Sequence, residues 1–529
     1  MKVERRKTVD GQLLSMFSKQ QMFRSSMVVG FFSLLGGLTG ILVDTGIAAH
    51  LGLSRSSDTF YVAFTVPYII TNLLYATGQF SLVPFFSSLE ARRSPEELWR
   101  GFSYALSLVS VGLGGIAVFG ALGAPWLIRA IAPGLALTQS IYAAQLARWL
   151  FLIILPAGLA EVLRSFLLSQ HRFALSSAVG FFRNATVVLS ILLLFDRYRE
   201  YSIVLGYLAG YLIQLAVLGI QIVAAFPVRV SLTLAGGGEA FRNLRGAGRA
   251  QIGGAMAWQG VMIVERMIAS FLPPGSLTAL TWGFKIMSTI AELLAGSVGT
   301  VALPALSRAV ATKAKEEERK TFRDILEISL VLLTPTLVFC LMLDENIIRL
   351  VFQRGNFTPQ ATDMMSEVFL YYSLSLLLFA FLRVLAFYLF ARQESGMFFR
   401  LSILQHSLNI AFDLLYVGAL HTGAIGIPLG LLTALSLTSL LAFRRNLVDL
   451  KDSLDRAFAS FSLKNLLGAA LAVGTVWLLR AWMRAPQTGL GNLIYLTVLC
   501  GAGLAVFLGT LAALGAVPMV RMAAHRLED

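Results

Sequence analysis

The sequence has little charge, almost no cysteine and no familiar catalytic motif. Of its 529 residues, 14% are charged and 57% are hydrophobic, with a mean hydropathy of +0.74, which excludes an ordinary soluble globular protein. The two cysteines, Cys340 and Cys500, lie in apolar runs, so neither a disulfide framework nor a thiolate metal site is expected. Because the sequence lacks a P-loop, an HExxH motif and a GxSxG motif, we expect a protein that is not an enzyme.

Long apolar stretches dominate the sequence instead. A membrane-spanning helix needs about 20 apolar residues, because its backbone must satisfy its own hydrogen bonds inside the bilayer. This criterion predicts an all-α polytopic membrane protein with about 14 transmembrane helices. The predicted spans are 25–45, 60–87, 101–123, 146–168, 174–195, 202–226, 252–271, 279–304, 325–343, 364–391, 398–417, 423–443, 463–483 and 490–516.

The basic residues predict how these spans are oriented. Outside the spans, 29 Lys and Arg residues lie on the side of the two termini and eight lie on the opposite side. Positively charged loops stay in the cytoplasm, so both termini are predicted to be cytoplasmic. The net charge of +14 is therefore explained by topology, and nucleic acid is not expected as a partner.

Part of the second span is repeated 220 residues later. Residues 62–87 align without a gap on residues 282–307, and six positions are identical, including Leu73-Leu74 with Leu293-Leu294 and Pro84 with Pro304. Thr65 then corresponds to Lys285 and Asn72 to Glu292. Internal duplication in a membrane protein is typical of transporters with two related lobes and a site between them.

The duplication predicts two six-helix lobes that are related by a pseudo-two-fold axis and surround a central cavity, followed by two additional C-terminal helices. The stretch after the twelfth span is amphipathic; it is interpreted either as a helix lying in the membrane interface or as one packed beneath the bundle. The predicted segments are a cytoplasmic N-terminal segment (1–24), an N-lobe (25–226), a cytoplasmic linker (227–251), a C-lobe (252–443), the amphipathic helix (444–462), helices 13 and 14 (463–516) and a cytoplasmic tail (517–529).

Several charged residues lie inside the spans, where an ion costs about 3 kcal/mol or more unless it faces a partner, water or the bundle interior. Arg164 is predicted to pair with Glu161, one turn before it. Arg183, Arg266 and Lys285 lie nearer to the middle of their spans and are predicted to line the cavity. Asn72 is predicted to line it as well, because the repeat aligns it with Glu292 on the polar face that Lys285 shares.

Four segments resemble the MurJ/MviN lipid II flippase family of the MOP exporter superfamily. They are DTFYVAFTVPYIITNLL (58–74) with GQFSLVPFFS (78–87), the block 265–308, the loop FQRGNFTPQAT (352–362) and the helix 421–445. The resemblance implies a flippase of the bacterial inner membrane. It would move an undecaprenyl-pyrophosphate-linked glycan, most specifically lipid II, to the outer leaflet by alternating access. The implied partners are this substrate and membrane lipids, with a monomeric protein.

The resemblance also implies site residues. Lys285 falls where the family carries a cavity arginine, Asp58 matches the acidic residue that opens the second helix, and Arg148 matches an arginine at the start of the fourth. At three other family arginine positions this sequence has Gly37, Val43 and Asn72. These departures leave open an exporter of another lipid-linked oligosaccharide or a cation-coupled drug antiporter.

A second polar constellation lies in the C-lobe. His406, Asn409 and Asp413 form one stripe on the eleventh span, and Glu265 and Thr433 on neighbouring spans offer further oxygen atoms. Carboxylate, amide and hydroxyl oxygens suit a hard cation or a proton relay, so Glu265, Asn409, Asp413 and Thr433 are a candidate site for Na⁺ or H⁺ as coupling ion. The alternative is a network of hydrogen bonds between helices, in which Arg266 or Lys285 neutralises the acids. No other cofactor is expected.

Overall fold

The computed structural model describes residues 2–91, 94–231, 249–312, 315–445, 454–483, 486 and 488–516. Side chains are described from Met27 onward, except those of 249–255, 257, 258, 295–297, 300 and 301. Within these ranges the regular structure is helical and contains no β-strand. The prediction of an all-α membrane protein is therefore confirmed.

The chain divides into two compact units. The N-terminal unit comprises Met1–His50, Thr59–Ile131 and Leu135–Met256. Its helices are α1 (Lys2–Leu51), α2 (Arg55–Thr77), α3 (Val83–Ala91), α4 (Pro95–Ile131), α5 (Leu137–Phe151), α6 (Ile154–Ser169), α7 (Phe173–Tyr198) and α8 (Glu200–Ala225). The first turn of α2, up to Asp58, is assigned to the other unit.

The C-terminal unit comprises Leu51–Asp58, Ala132–Gly134 and Ala257–Asp529. Between its helices Ser395–Asp413 and Gly426–Arg444 lie a short π-helical turn, Leu414–Ala419, and a 3₁₀ turn, Gly423–Ile425. Its helices are α9 (Arg249–Ala269, from Ala257 onward), α10 (Ser276–Ala311), α11 (Lys315–Met342), α12 (Asp344–Phe352), α13 (Pro359–Leu374), α14 (Leu376–Ala391), α15 (Ser395–Asp413), α16 (Gly426–Arg444), α17 (Arg456–Trp482) and α18 (Gly489–Ala513).

Each predicted span coincides with a described helix or helix pair. Among the described residues, ten helical segments are long and apolar enough to cross a membrane, or eleven if α13 and α14, which meet at a 40° bend, form one span. The remaining three predicted spans coincide with α9, α10 and α15. These three helices carry polar residues, among them Glu265, Lys285 and Asp413, and the side chains of α9 and α10 are only partly described.

The core of the N-terminal unit is aromatic at one end. Phe86, Trp99, Phe102 and Phe166 pack together, and the ring centroids of Phe102 and Phe166 are 4.7 Å apart. Helices α4 and α6 also approach closely at Gly158 on α6, where a Cβ atom would lie 2.0 Å from a methyl carbon of Leu113 on α4. Small residues at such contacts allow two membrane helices to pack by van der Waals attraction.

Helices α2 and α3 are separated by a π-helical segment, Gly78–Leu82. A Cβ atom on Gly78 would lie 1.9 Å from Oε1 of Glu161 on α6, so the carboxylate occupies the space that a side chain would need. A π segment inside an α-helix is uncommon and often occurs at a functional position. The glycine thus allows the buried Glu161 side chain to contact the backbone of the π segment directly.

The described part of the C-terminal unit contains several packed clusters. Phe322 on α11 and Tyr388 on α14 are both buried, with ring centroids 5.0 Å apart. The last two helices pack against α11, where Val338, Phe461 and Phe507 form one cluster. The final pair of predicted spans is therefore part of the C-terminal unit rather than a separate body.

Three predicted segments fall largely or partly outside the described residues. They are the linker (227–251), of which 232–248 is not described, the tail (517–529), and residues 446–453 of the amphipathic helix (444–462). In the described remainder of that helix, Leu454 and Phe458 pack against the Phe322–Tyr388 region. The predicted segment boundaries themselves stay predictions.

Candidate functional site

Asp58 lies in the C-terminal unit and caps the start of α10. Its Oδ2 atom accepts a hydrogen bond from the backbone N–H of Gly275 at 2.6 Å. Its Oδ1 atom accepts from the backbone N–H and the hydroxyl of Thr278 at 2.9 and 2.7 Å. A carboxylate at this position satisfies N–H groups that the helix leaves unpaired and interacts favourably with the helix dipole. The carboxylate is 7% exposed, so its observed contacts are with α10.

Gly275 has a positive φ of 89°, a conformation that side-chain-bearing residues rarely adopt. A Cβ atom there would lie 2.9 Å from the backbone carbonyl carbon of Leu53. The glycine therefore permits the tight approach that lets Asp58 reach the first turn of α10. The predicted site residue Asp58 thus connects the start of α2 to the start of α10 by hydrogen bonds within this unit.

Lys285 and Arg266 lie on and against α10. Arg266, which is 7% exposed, donates to the carbonyl oxygen of Leu277 at 3.2 Å and to the hydroxyl of Thr281. Lys285 lies two turns after Thr278 and is partly exposed. Arg266 therefore contributes to the packing of α9 on α10, and the predicted binding roles of Arg266 and Lys285 stay predictions.

Glu265, Asn409 and Asp413 come together, as the sequence predicts. Nδ2 of Asn409 donates to Oδ2 of Asp413 at 2.8 Å and to Oε1 of Glu265 at 3.3 Å. Asp413 is fully buried and Asn409 is 1% exposed. Oδ1 of each has no hydrogen-bond partner among the described residues. Unsatisfied buried oxygen atoms beside a second carboxylate fit a hard cation or a proton.

Gly430 on α16 makes room for this cluster. A Cβ atom on Gly430 would lie 1.9 Å from Oδ1 of Asp413. Thr433 is one turn further along the same helix, but its described hydrogen bonds are to Tyr416 at 3.0 Å and to the carbonyl oxygen of Leu429 at 2.8 Å. The structure therefore joins three of the four predicted ligands and gives Thr433 other partners. Within the described residues, no set of three or more His, Cys, Asp and Glu side chains converges.

Arg183 lies in the N-terminal unit on α7. Its Nε atom donates to Oδ1 of Asn184 at 3.2 Å, and its guanidinium lies over the ring of Tyr211, 5.2 Å from the centroid. Nδ2 of Asn184 in turn donates to the carbonyl oxygen of Gly36 on α1 at 3.0 Å. The guanidinium remains partly exposed, as expected for a cation that meets a ligand.

The other two predicted cavity residues make few described contacts. Asn72 is partly exposed on α2, and Arg148 is exposed near the end of α5. By contrast, the predicted ion pair is confirmed: Arg164 donates to the two carboxylate oxygens of Glu161 at 2.9 and 3.0 Å. Both side chains are buried, and Arg164 also lies over the ring of Tyr75.

Comparison with known proteins decides the family. A family model described as lipid II flippase MurJ matches residues 47–498, from the end of α1 into α18. The chain belongs to the MurJ family. The resemblance inferred from the four sequence segments is confirmed.

Relatives of the MurJ family match over nearly the whole chain. A probable lipid II flippase MurJ from Aquifex aeolicus is 24% identical over 477 residues, which is 88% of this chain and 90% of the relative. A protein of the same description from Vibrio cholerae is 24% identical over 516 residues, which is 94% of this chain and 97% of the relative.

Solved structures show the same fold. A lipid II flippase MurJ in an inward closed conformation matches with a TM-score of 0.76 at 20% identity, covering 93% of this chain and 98% of that one. An inward-facing multidrug resistance MATE transporter of the MOP superfamily matches with a TM-score of 0.68 at 13% identity, covering 81% and 98%. Both likenesses concern the fold alone.

At the three positions where the resemblance places family arginines, the structure describes other residues. Gly37 is exposed with open space around it, Val43 is 2% exposed, and Asn72 is partly exposed. The cations that the resemblance assigns to the site are Arg148 in the N-terminal unit and Lys285 in the C-terminal unit.

The tyrosine residues around Arg183 are not among the residues predicted from the sequence. Tyr207 and Tyr211 lie one turn apart on α8, and Phe64 and Tyr68 lie one turn apart on α2. The ring centroids of Phe64 and Tyr207 are 4.7 Å apart. The spacing of four residues between aromatic side chains was a signal in the sequence, since residues at i and i+4 share a helix face.

Proposed function

We propose that this protein moves an undecaprenyl-pyrophosphate-linked glycan, specifically lipid II, from the inner to the outer leaflet of the bacterial cytoplasmic membrane. The observation that carries this proposal is the MurJ family match over residues 47–498. The two relatives named above, each described as a probable lipid II flippase, support it. The proposal makes the protein a transporter rather than an enzyme, with both termini in the cytoplasm.

The physical requirement for such transport is a polar passage for a charged head group whose lipid tail stays in the bilayer. An isolated ion inside the bilayer core costs several kcal/mol, so cationic side chains must accompany the pyrophosphate. Lys285 is the candidate for this contact, because it is partly exposed and a lysine acts as a point charge toward phosphate. Arg183 is the predicted cavity cation of the N-terminal unit and is also partly exposed.

Alternating access requires an energy source, and the cluster of Glu265, Asn409 and Asp413 is the proposed ion site. Two carboxylates that share one amide donor repel each other unless a cation or proton lies between them. If Na⁺ or H⁺ binds there, it changes the charge balance at the contact of α9 with α15. The cluster would in this way couple ion binding to the packing of these helices.

The test is complementation of bacteria depleted of their own lipid II flippase, together with mass spectrometry of the lipids that purify with the protein. Growth rescue and co-purified lipid II are the expected results. If the protein fails to rescue growth and a different lipid-linked oligosaccharide purifies with it, that oligosaccharide is the transported substrate instead.

A cation-coupled drug antiporter is the second candidate, because the MATE transporter shares the fold with a TM-score of 0.68. This function predicts that expression raises resistance to toxic cations in a drug-sensitive strain and does not rescue the flippase-depleted strain. The two assays together separate the candidates.

A further inference from the structure

Helix α2 presents an aromatic row that ends in exposed polar groups. Phe60, Phe64 and Tyr68 follow one another at intervals of four residues, with ring centroids 5.8 and 5.6 Å apart. Phe60 and Phe64 are buried, whereas Tyr68 is 39% exposed. Asn72, one turn further on the same face, is partly exposed. The row therefore offers a phenol ring and an amide to a ligand.

Helix α8 adds two further tyrosines to this face. The ring of Tyr207 contacts Phe64, and its hydroxyl lies within Coulombic range of Tyr68, Tyr211 and Arg183. Tyr207 is partly exposed, while Tyr211 is covered by the Arg183 guanidinium. We call Tyr68 and Tyr207 the tyrosine patch; Tyr211 is 7% exposed and is not part of it.

An arginine and an aspartate lie near Tyr207. Arg183 is hydrogen-bonded to Asn184. Asp44 is also close to Tyr207, and its Oδ1 atom accepts a hydrogen bond from the hydroxyl of Tyr61 at 3.0 Å. A pyrophosphate carries several negative charges and is bound by several cations, often arginines in bidentate geometry. Among the described side chains, the groups of opposite charge near Tyr207 are one guanidinium and one carboxyl group.

We propose that the tyrosine patch and Asn72 bind the uncharged sugar of the transported lipid, not its pyrophosphate; this inference rests on the proposed function. The face of an aromatic ring is electron-rich and attracts the weakly positive C–H groups of a sugar ring. The phenol hydroxyls and the Asn72 amide both donate and accept, as sugar hydroxyls require. The pyrophosphate is then left to cations elsewhere in the chain, with Lys285 as the candidate.

The test compares two lipid probes on the purified full-length protein: undecaprenyl pyrophosphate carrying the glycan, and undecaprenyl pyrophosphate without it. Tyr68→Ala should weaken binding of the glycan-bearing probe about ten-fold, the size of one lost aromatic contact, and leave binding of the bare probe unchanged. Tyr68→Phe, which keeps the ring, should retain most of the affinity. Tyr198→Ala removes a similarly exposed tyrosine at the end of α7 and should alter neither probe.

Equal weakening of both probes by Tyr68→Ala, or no weakening of either, would overturn the inference. Thermal unfolding of each variant shows whether it folds. If Tyr68→Ala does not fold, Asn72→Ala gives a second test with the same expected difference between the two probes. Wild-type protein that binds both probes with the same affinity would leave the proposed function standing and remove the sugar contact. Wild-type protein that binds neither probe better than phosphatidylglycerol would remove the proposed function itself.

Discussion

The carboxylate of Asp58 accepts hydrogen bonds from both the backbone N–H and the hydroxyl of Thr278, 220 residues later in the chain. A third bond, from the backbone N–H of Gly275, completes the cap of α10. Because the carboxylate is 7% exposed, water cannot easily replace these bonds. The residue that sequence resemblance assigns to substrate binding is, in its described contacts, the N-terminal cap of α10.

Asp58→Ala should therefore lower the free energy of unfolding by about 1–3 kcal/mol, since it removes a cap and leaves buried N–H groups unpaired. Thermal unfolding of the protein in detergent would measure this loss. Asp363→Ala, which removes an exposed carboxylate on α13, is the matched control and should have little effect. Equal melting temperatures for Asp58→Ala and the wild type would contradict the capping role.

Glu161→Gln should destabilise the N-terminal unit by about 3–5 kcal/mol, because it leaves the buried Arg164 guanidinium without a counter-charge.

Gly78→Ala should act in the same direction, since its new methyl group would collide with the Glu161 carboxylate. The measurement is again thermal unfolding in detergent. Gly112→Ala, on a helix face with open space around it, is the control, and a loss as large as that of Gly78→Ala would argue against the collision.

Asp413→Asn should abolish any specific effect of Na⁺ on stability, because it removes one of the two carboxylates that face the proposed ion. The wild type should melt at a higher temperature in NaCl than in KCl at equal ionic strength, and the variant should not. Gly430→Ala should imitate the variant by displacing Asp413, whereas Gly396→Ala, which meets open space, should behave as the wild type. If NaCl and KCl have equal effects on the wild type, Na⁺ is not the ion, and the same comparison across pH tests H⁺.

Lys285→Ala should abolish rescue of flippase-depleted cells while leaving expression and membrane insertion unchanged. The physical reason is the loss of a positive charge that accompanies the pyrophosphate through the bilayer. Lys315→Ala, which removes an exposed lysine at the start of α11, should rescue fully. Rescue by Lys285→Ala would exclude this side chain from the mechanism.

Asp455, outside the spans at the start of α17, predicts a stability effect at low pH. Partial burial raises its pKa, but the backbone N–H of Phe458 and the guanidinium of Arg323 together bring the pKa below its ordinary value. A lowered pKa in the folded state means that the stabilisation is fully present above about pH 4 and is lost as the pH falls through the folded value. The melting temperatures of the wild type and Asp455→Asn should therefore differ at pH 6 and converge in strong acid. A difference that persists at low pH would contradict the assignment.

The sequence predicted the helices well, because apolar length and basic loops depend on the bilayer and not on tertiary detail. It also predicted the Glu161–Arg164 pair and the meeting of Glu265, Asn409 and Asp413, since neighbours on one helix face, or on adjacent polar helices, have few other partners in lipid. The predicted roles in substrate binding stay predictions for the whole set: Asp58, Asn72, Arg148, Arg183, Arg266 and Lys285.

What the sequence could not show depends on contacts between distant segments. The cap formed by Asp58 requires a loop 217 residues away and a glycine with positive φ, neither of which has a local signature. The same holds for Gly430, whose importance appears only when Asp413 is seen beside it. A glycine in an apolar helix gives no indication of which side chain will fill the space that it leaves.

The π segment at Gly78–Leu82 changes how the internal duplication should be read. In α10, residues 282–307 run through an uninterrupted α-helix, whereas the matching stretch contains the π segment between α2 and α3, whose turns are wider although no residue is inserted. Each residue advances an α-helix by about 100°, so the two copies fall out of angular phase beyond this point. Pro84 and Pro304 therefore occupy equivalent places in the alignment yet face different azimuths. A wider turn, with no residue added, therefore leaves the two halves equivalent in sequence register and different in the direction of their later side chains.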